Sequence, residues 1–330
     1  MRRLTLIGGA IALILYGELP RPGACQTNAE KLNALGTALG SRIEALTILG
    51  GDYGLSGGLF RSTGKLLPSS EQDADLALSK LGGAGEIGDV RPLGGWDVGW
   101  QPRLQGNLGR YDSTNTLHLP ALEGDVSTIT GSAVEFGGGA RFWTTNHLSI
   151  AANVLGLYGQ TSEHYTSRGG ANATAEQAAL DAGLINWKVT TWTGVAALDF
   201  QYETLWDRSI VKFSLDPSYY STQTLHSSDS QISATGSSTT LAAKIDVDAP
   251  IGFVLFGHEL RTGGYVSHTQ LWGGLRDGIG VDYLDEIHAR LSLDLFQQVW
   301  KVKWAGIGAS YIWSPGMKGW TAGADVTLQF

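Results

Sequence analysis

The chain has 330 residues and a net charge of −8 at pH 7, an acidic balance that argues against nucleic acid as a partner. It holds 46 glycines, 11 tryptophans and a single cysteine, so neither an internal disulfide nor a thiolate metal cluster is available. No run of 18 apolar residues occurs, which excludes membrane-spanning helices. Many glycines and aromatics with a mean hydropathy near zero (−0.03) are typical of a membrane β-barrel.

The N-terminus has the pattern of an export signal. Arg2 and Arg3 precede an apolar run from Leu4 to Tyr16. The run is about 13 residues long, shorter than the roughly 20 that a spanning helix needs. We therefore predict a secretory signal peptide over residues 1–25. Cys25 lies at its end, either as a residue at the cleavage site or as a lipidated first residue.

A helical segment is predicted over residues 26–50, between the signal and the first strand. Its apolar residues recur at helical spacing, although Gly36 and Gly40 each cost about 1 kcal/mol in a helix. A second short helix is predicted from Thr174 to Ala182, where an alanine-rich stretch ends at a glycine.

Alternating apolar and polar residues predict an all-β fold over residues 51–330. The last strand shows the pattern most clearly, because Trp320, Ala322 and Ala324 alternate with polar residues and glycine. The same period recurs upstream and predicts twelve strands: 52–61, 76–87, 95–111, 131–144, 147–163, 187–205, 208–225, 238–249, 253–271, 284–297, 300–313 and 319–330.

The lengths of the connections favour a barrel over a sandwich. Short turns follow the even-numbered strands, including one predicted at Pro250-Ile251, and long loops follow most of the odd-numbered ones, including 272–283. Alternating short and long connections with an even strand count is the layout of an outer-membrane barrel. We therefore predict a 12-stranded antiparallel transmembrane β-barrel in the cell outer membrane, with both termini in the periplasm.

Charged residues on the polar faces of these strands are predicted to face the lumen. Both signs are present, which favours an ion-paired or plugged interior over an anion-selective pore. The candidates are Arg103, Glu135, Arg141, Lys188, Lys212, Lys244, Asp246, Asp248, Arg290 and Asp294.

The best candidate for catalysis is the pair His147 and Ser149, since alternate residues share one face of a strand and an imidazole there could activate the hydroxyl. Some outer-membrane lipid-modifying enzymes use a His-x-Ser pair, but Ile150 and Ala151 do not continue their pattern. The pair also lies at a short turn. We therefore predict no catalytic, cofactor or metal site and no cofactor.

Twelve strands, a helix just before the first and a terminal aromatic strand resemble the translocator domain of bacterial autotransporters. The resemblance implies that the N-terminal helix lies in or near the lumen. It also implies that the ending is an assembly signal read by the barrel-assembly machinery, carried by Ala324, Val326, Leu328 and Phe330. About 25 residues separate the signal from the first strand, so the expectation is a solitary β-domain without a secreted passenger.

Three functions remain open at this point. The first is a helix-plugged solitary barrel with a structural or surface role. The second is a passive porin-like channel for small solutes, and the third is a lipid-modifying enzyme. For each of them the expected partners are outer-membrane lipid and the assembly machinery.

Overall fold

The structure is a computed structural model that describes residues 44–45, 48, 55–62, 74–93, 99–116, 125–167, 185–228, 232–299 and 302–328. The described chain forms strands β1 (Leu55–Ser62), β2 (Ala74–Glu86), β3 (Arg91–Pro92), β4 (Gly99–Thr116), β5 (Val126–Trp143), β6 (Leu148–Thr166), β7 (Lys188–Trp206), β8 (Ser209–Ser227), β9 (Gly236–Leu255), β10 (His258–Gly273), β11 (Tyr283–Val299), β12 (Val302–Ser314) and β13 (Met317–Leu328), with helix α1 (Gly274–Ile279) between β10 and β11.

Twelve of these strands close into one antiparallel barrel. Leu55 of β1 pairs with Leu81 of β2 on one side and with Ala324 of β13 on the other. β2 pairs directly with β4, while the two-residue β3 only flanks β4. Closure leaves no free sheet edge, so the backbone hydrogen-bonding groups of the wall are paired around the ring. The prediction of a twelve-stranded barrel is confirmed.

The two faces of the wall have opposite chemistry, as β5 shows. Ala133 and Glu135 are buried on the inner face, whereas Val134 and Phe136 are 50 % and 67 % exposed on the outer surface. Successive side chains of a strand point to opposite faces, so a period of two in the sequence becomes an apolar exterior and a polar lumen.

One predicted turn is wrong. Pro250 is not at a turn but pairs with Arg261, and β9 continues to Leu255. Proline cannot donate a backbone hydrogen bond to a neighbouring strand, and a bulge at residues 251–253 allows β9 to continue past it. The turn lies at Phe256 and Gly257, whose φ angles of 53° and 82° fit the two-residue hairpin turn that matches strand twist.

The predicted helices are only partly within the described residues. Glu44, Ala45 and Ile48 are helical, while 174–182 and the signal peptide 1–25 lie outside them. Helix α1 occupies the connection 272–283 that was predicted as a plain loop, and Gly280 ends it by donating its N–H to the Arg276 carbonyl. Within the described ranges, no helix is both long and apolar enough to span a bilayer.

Candidate functional site in the barrel lumen

The lumen has two layers of different chemistry. Toward the long loops its wall carries a cluster of buried apolar side chains, among them Tyr111 on β4 and Ile129 on β5, together with buried polar groups such as Ser127. Toward the short turns the same two strands carry Arg103 and Arg141. The buried apolar side chains come from nine strands and from α1 and form one cluster. Its members come from most of the wall, from α1 and from the N-terminal segment, while β8 and β9 contribute the buried polar Thr222 and Ser238, so this mainly apolar layer crosses the lumen.

The N-terminal segment takes part in the apolar layer. Ala45 is 5 % exposed and belongs to the cluster, and Ile48 packs against it. The buried Glu44 carboxylate accepts hydrogen bonds from the Thr222 and Ser238 hydroxyls on the lumen face of β8 and β9. These contacts place the described helical residues inside the barrel, as the resemblance implied.

Ser238 connects this segment to α1. Its Oγ accepts the Leu275 N–H at 2.9 Å while its hydroxyl donates to Glu44. Leu275 and Ile279 of α1 are buried in the same apolar cluster. The lumen is therefore occupied from two directions, by the N-terminal segment and by the connection between β10 and β11.

Arg141 is the centre of an ionic network in the polar layer. Its guanidinium donates to Glu86 at 2.8 Å and also to Asp199, which accepts a second hydrogen bond from Arg103 at 3.0 Å. Further donors of Arg141 reach Ser149 at 2.8 Å and the Gln201 side chain at 2.6 Å. The network ties together β2, β4, β5, β6 and β7.

A second network connects β9, β10 and β11. Arg290 binds both carboxylate oxygens of Asp246, at 2.8 and 2.9 Å. Asp248 accepts from the buried Arg261, whose guanidinium lies 5.2 Å from the centre of the Trp304 ring. Bidentate and stacked contacts of this kind hold an arginine in one geometry, so the two networks stiffen separate parts of the wall.

The other predicted lumen charges have separate partners. Glu135 accepts from the Gln105 and Asn107 side-chain amides. The Lys212 ammonium lies 3.1 Å from Glu203, and the Lys244 ammonium lies 5.2 Å from the centre of the Tyr265 ring. Asp294 is half-buried in register with Trp304, near the short-turn end.

Lys188 does not face the lumen. It is exposed, while its neighbours Trp187 and Val189 are buried in the apolar cluster. Since Asp199 faces the lumen on the same strand, a residue eleven positions away lies on the opposite face. Glu86, conversely, was not among the predicted residues. Glu86 lies an even number of residues after the buried Leu78 on β2, so both side chains are on the same face of the strand. This spacing was the sequence signal that Glu86 faces the lumen.

His147 and Ser149 do not form a nucleophile and base pair. Ser149 is fully buried and accepts a hydrogen bond from Arg141. The His147 Nδ1 instead contacts the Glu203 carbonyl oxygen at 2.8 Å, in an exposed turn. The arrangement shows a structural role for each residue, and acid–base chemistry between them has no geometric support.

The predicted assembly signal lies on β13 as far as the structure describes it. Ala324 is exposed on the outer face and pairs with Leu55 and Ile307. Val326 and Leu328 belong to the same strand, and Phe330 lies beyond the described residues.

The closed twelve-stranded barrel with an apolar exterior and an ion-paired lumen defines an outer-membrane β-barrel protein. More specifically, residues 92–322 match a family described as the solitary outer membrane autotransporter β-barrel domain, and the chain belongs to that family. No curated protein matches the chain.

A solved autotransporter structure agrees on the fold, and a second one is similar over most of the chain. The transport unit of the autotransporter AIDA-I from Escherichia coli is 9 % identical, aligns over 90 % of this chain and 99 % of that one, and gives a TM-score of 0.55. The β-domain of the Bordetella autotransporter BrkA is 13 % identical over 84 % of this chain and 100 % of that one, with a TM-score of 0.49.

Proposed function

We propose that this protein is an outer-membrane β-domain that is plugged by its own N-terminal segment, residues 26–50, and presents its long loops at the cell surface. The observation that carries the proposal is the position of Glu44, whose carboxylate is bonded to Thr222 and Ser238 within the apolar layer. An apolar layer that crosses the lumen excludes water and ions, so the barrel does not serve as a passive channel for small solutes.

The orientation in the membrane is part of this proposal. Short turns at one end and long connections at the other support a periplasmic position for the short turns and for both termini. In this arrangement the signal peptide 1–25 directs export. The strand β13, with Ala324, Val326 and Leu328, presents the assembly signal at the periplasmic end during insertion.

Single-channel currents test the plug. We expect the mature chain to conduct little current in planar bilayers, and a chain lacking residues 27–49 to conduct a clearly larger current, because the part of the lumen that the segment occupies is then empty while α1 remains. Heat-modifiable migration on a gel serves as the control that both barrels are folded. Equal currents from the two chains would contradict the plug.

The hairpin tip between β9 and β10 indicates where the barrel meets lipid. Phe253, Val254, Leu255 and Phe256 are 71 %, 68 %, 45 % and 86 % exposed. Exposed apolar side chains at a turn are unfavourable in water but favourable in the interfacial region of a bilayer. The tip therefore contacts the inner leaflet, unlike the polar turn that contains Asn146.

Spin labels test this contact. We expect a nitroxide at Phe256→Cys, in the refolded chain 26–330, which has no other cysteine, to be relaxed more by oxygen than by a water-soluble nickel complex, because oxygen concentrates in lipid. The matched label at Asn146→Cys, in the exposed turn between β5 and β6, is expected to show the reverse preference. A nickel preference at both positions would place the tip in water.

A further inference from the structure

A cavity of about 470 Å³ lies in the polar layer of the lumen. Its space comes from small residues of the wall, among them Gly82 and Ala84 on β2, Ala197 on β7 and Ser218 on β8. The volume is within the range of sites that hold small molecules. The described residues that line the cavity all belong to the strands of the wall and none to the described part of the N-terminal segment, so the inference goes beyond the plug.

The buried polar atoms of the cavity wall that have no hydrogen-bond partner among the described residues include one amide acceptor and one guanidinium donor. They are Oδ1 of Asn153, a residue that is 6 % exposed, and Nε of Arg103. Arg103 pairs with Gly139 and Gly139 pairs with Asn153, so the two residues lie in one row of the wall with no side chain between them. Strands are about 4.8 Å apart, which puts their Cα atoms about 10 Å from each other.

These two atoms make the cavity incomplete without an occupant. A buried acceptor that lacks a donor costs about 1–3 kcal/mol. Asn153 Oδ1 accepts only, and Arg103 Nε donates only, so a molecule that satisfies both must carry a donor at one end and an acceptor at the other.

The charges of the wall limit which molecule this is. Cations and carboxylates are nearly balanced, so a multiply charged ion of either sign is repelled by part of the wall. The cations are Lys80, Arg103, Arg141, Lys212 and Lys244, and the carboxylates are Glu135, Asp199, Asp216 and Asp246. Asp199 and Asp246 already accept from arginines, Glu135 accepts from the Gln105 and Asn107 amides, and Asp216 has an interaction of its own, so the neutral Asn153 oxygen is an open acceptor of this wall.

We propose that the cavity binds a small zwitterion of amino-acid size, with its carboxylate at Arg103 and its ammonium at Asn153. A zwitterion supplies an anionic acceptor and a cationic donor a few ångströms apart. Because its net charge is zero, it is not repelled as a whole by a wall that carries charges of both signs. Hydrogen bonds to charged groups are stronger than neutral ones, so both ends contribute to affinity.

Titration calorimetry of the complete refolded chain tests the proposal, with L-alanine as the probe and propionate and propylamine as its two halves. We expect alanine to bind at least about tenfold more tightly than either half, since each half leaves one of the two wall atoms without a partner. The Asn153→Leu variant is expected to lower the affinity for alanine about tenfold, to the level of propionate.

Two further variants make the result specific. Thr191→Val removes another buried hydroxyl that has no hydrogen-bond partner in the described part of the chain but lies outside the cavity, and we expect no change in alanine affinity. Ala197→Met fills the cavity while leaving Asn153 in place, and we expect binding to be lost even if Asn153→Leu fails to fold. Alanine and propionate binding equally well, or Ala197→Met binding alanine as the parent chain does, would overturn the proposal.

Discussion

Replacing Arg141 with methionine is expected to lower the free energy of unfolding by about 3–5 kcal/mol, because the change removes one partner of a buried ion pair. The Arg141 side chain is 6 % exposed and donates to Glu86 and Asp199. Methionine keeps most of the length of the side chain but donates nothing. Asp199 then keeps Arg103 as its arginine partner, while Glu86 and the buried Ser149 lose the donors of Arg141.

Urea unfolding of the barrel in lipid vesicles, followed by tryptophan fluorescence, measures this effect. The matched control is Arg110→Met, which removes an arginine paired with Asp112 on the outside of the neighbouring strand, where the two side chains are 65 % and 43 % exposed. Exposed pairs contribute about 0–1 kcal/mol. A loss at Arg141 no larger than the loss at Arg110 would show that the lumen network is not a stabilising element.

Replacing Ala45 with aspartate is expected to open the barrel. Ala45 is 5 % exposed within the apolar layer, and an unpaired carboxylate in such surroundings costs several kcal/mol. The substitution raises the free energy of the state in which the N-terminal segment occupies the lumen, and it leaves the strands of the barrel unchanged. Since each 1.4 kcal/mol changes a population ratio about tenfold, the fraction of time spent conducting should rise by at least about tenfold.

Planar-bilayer recording at matched protein density measures that fraction. Ser237→Asp adds the same charge at an exposed position next to β9 residue Ser238, and it is expected to leave the current at the level of the parent chain. A folded Ala45→Asp barrel that stays as closed as the Ser237→Asp barrel would mean that the N-terminal segment does not control the lumen.

The two substitutions separate the roles of the two lumen layers. Arg141 lies in the polar layer and its change is expected to affect stability, whereas Ala45 lies in the apolar layer and its change is expected to affect conductance. If either substitution changed stability and conductance equally, the two layers would act as a single structural unit.

Much of the fold was readable from local pattern. The alternation of Val134 and Phe136 with Glu135 depends only on which side of one strand each residue occupies, so it is present in the sequence of β5 itself. The same alternation shows that the prediction of a lumen-facing Lys188 was wrong, because residues 188 and 199 cannot both face inward on one uninterrupted strand. The end of β9 was less readable, since a bulge allows a strand to continue past Pro250.

By itself, the sequence determined the class of fold, the number of wall strands and the charged character of the lumen, because a period of two and the lengths of connections are properties of neighbouring residues. Only the tertiary structure decided that Arg141 meets Glu86 and Asp199, 55 and 58 residues away along the chain. It alone decided that Glu44 reaches Thr222 and Ser238, and that a cavity remains beside Asn153. These contacts depend on the closure and register of the whole barrel, which bring distant strands to the same height in the lumen.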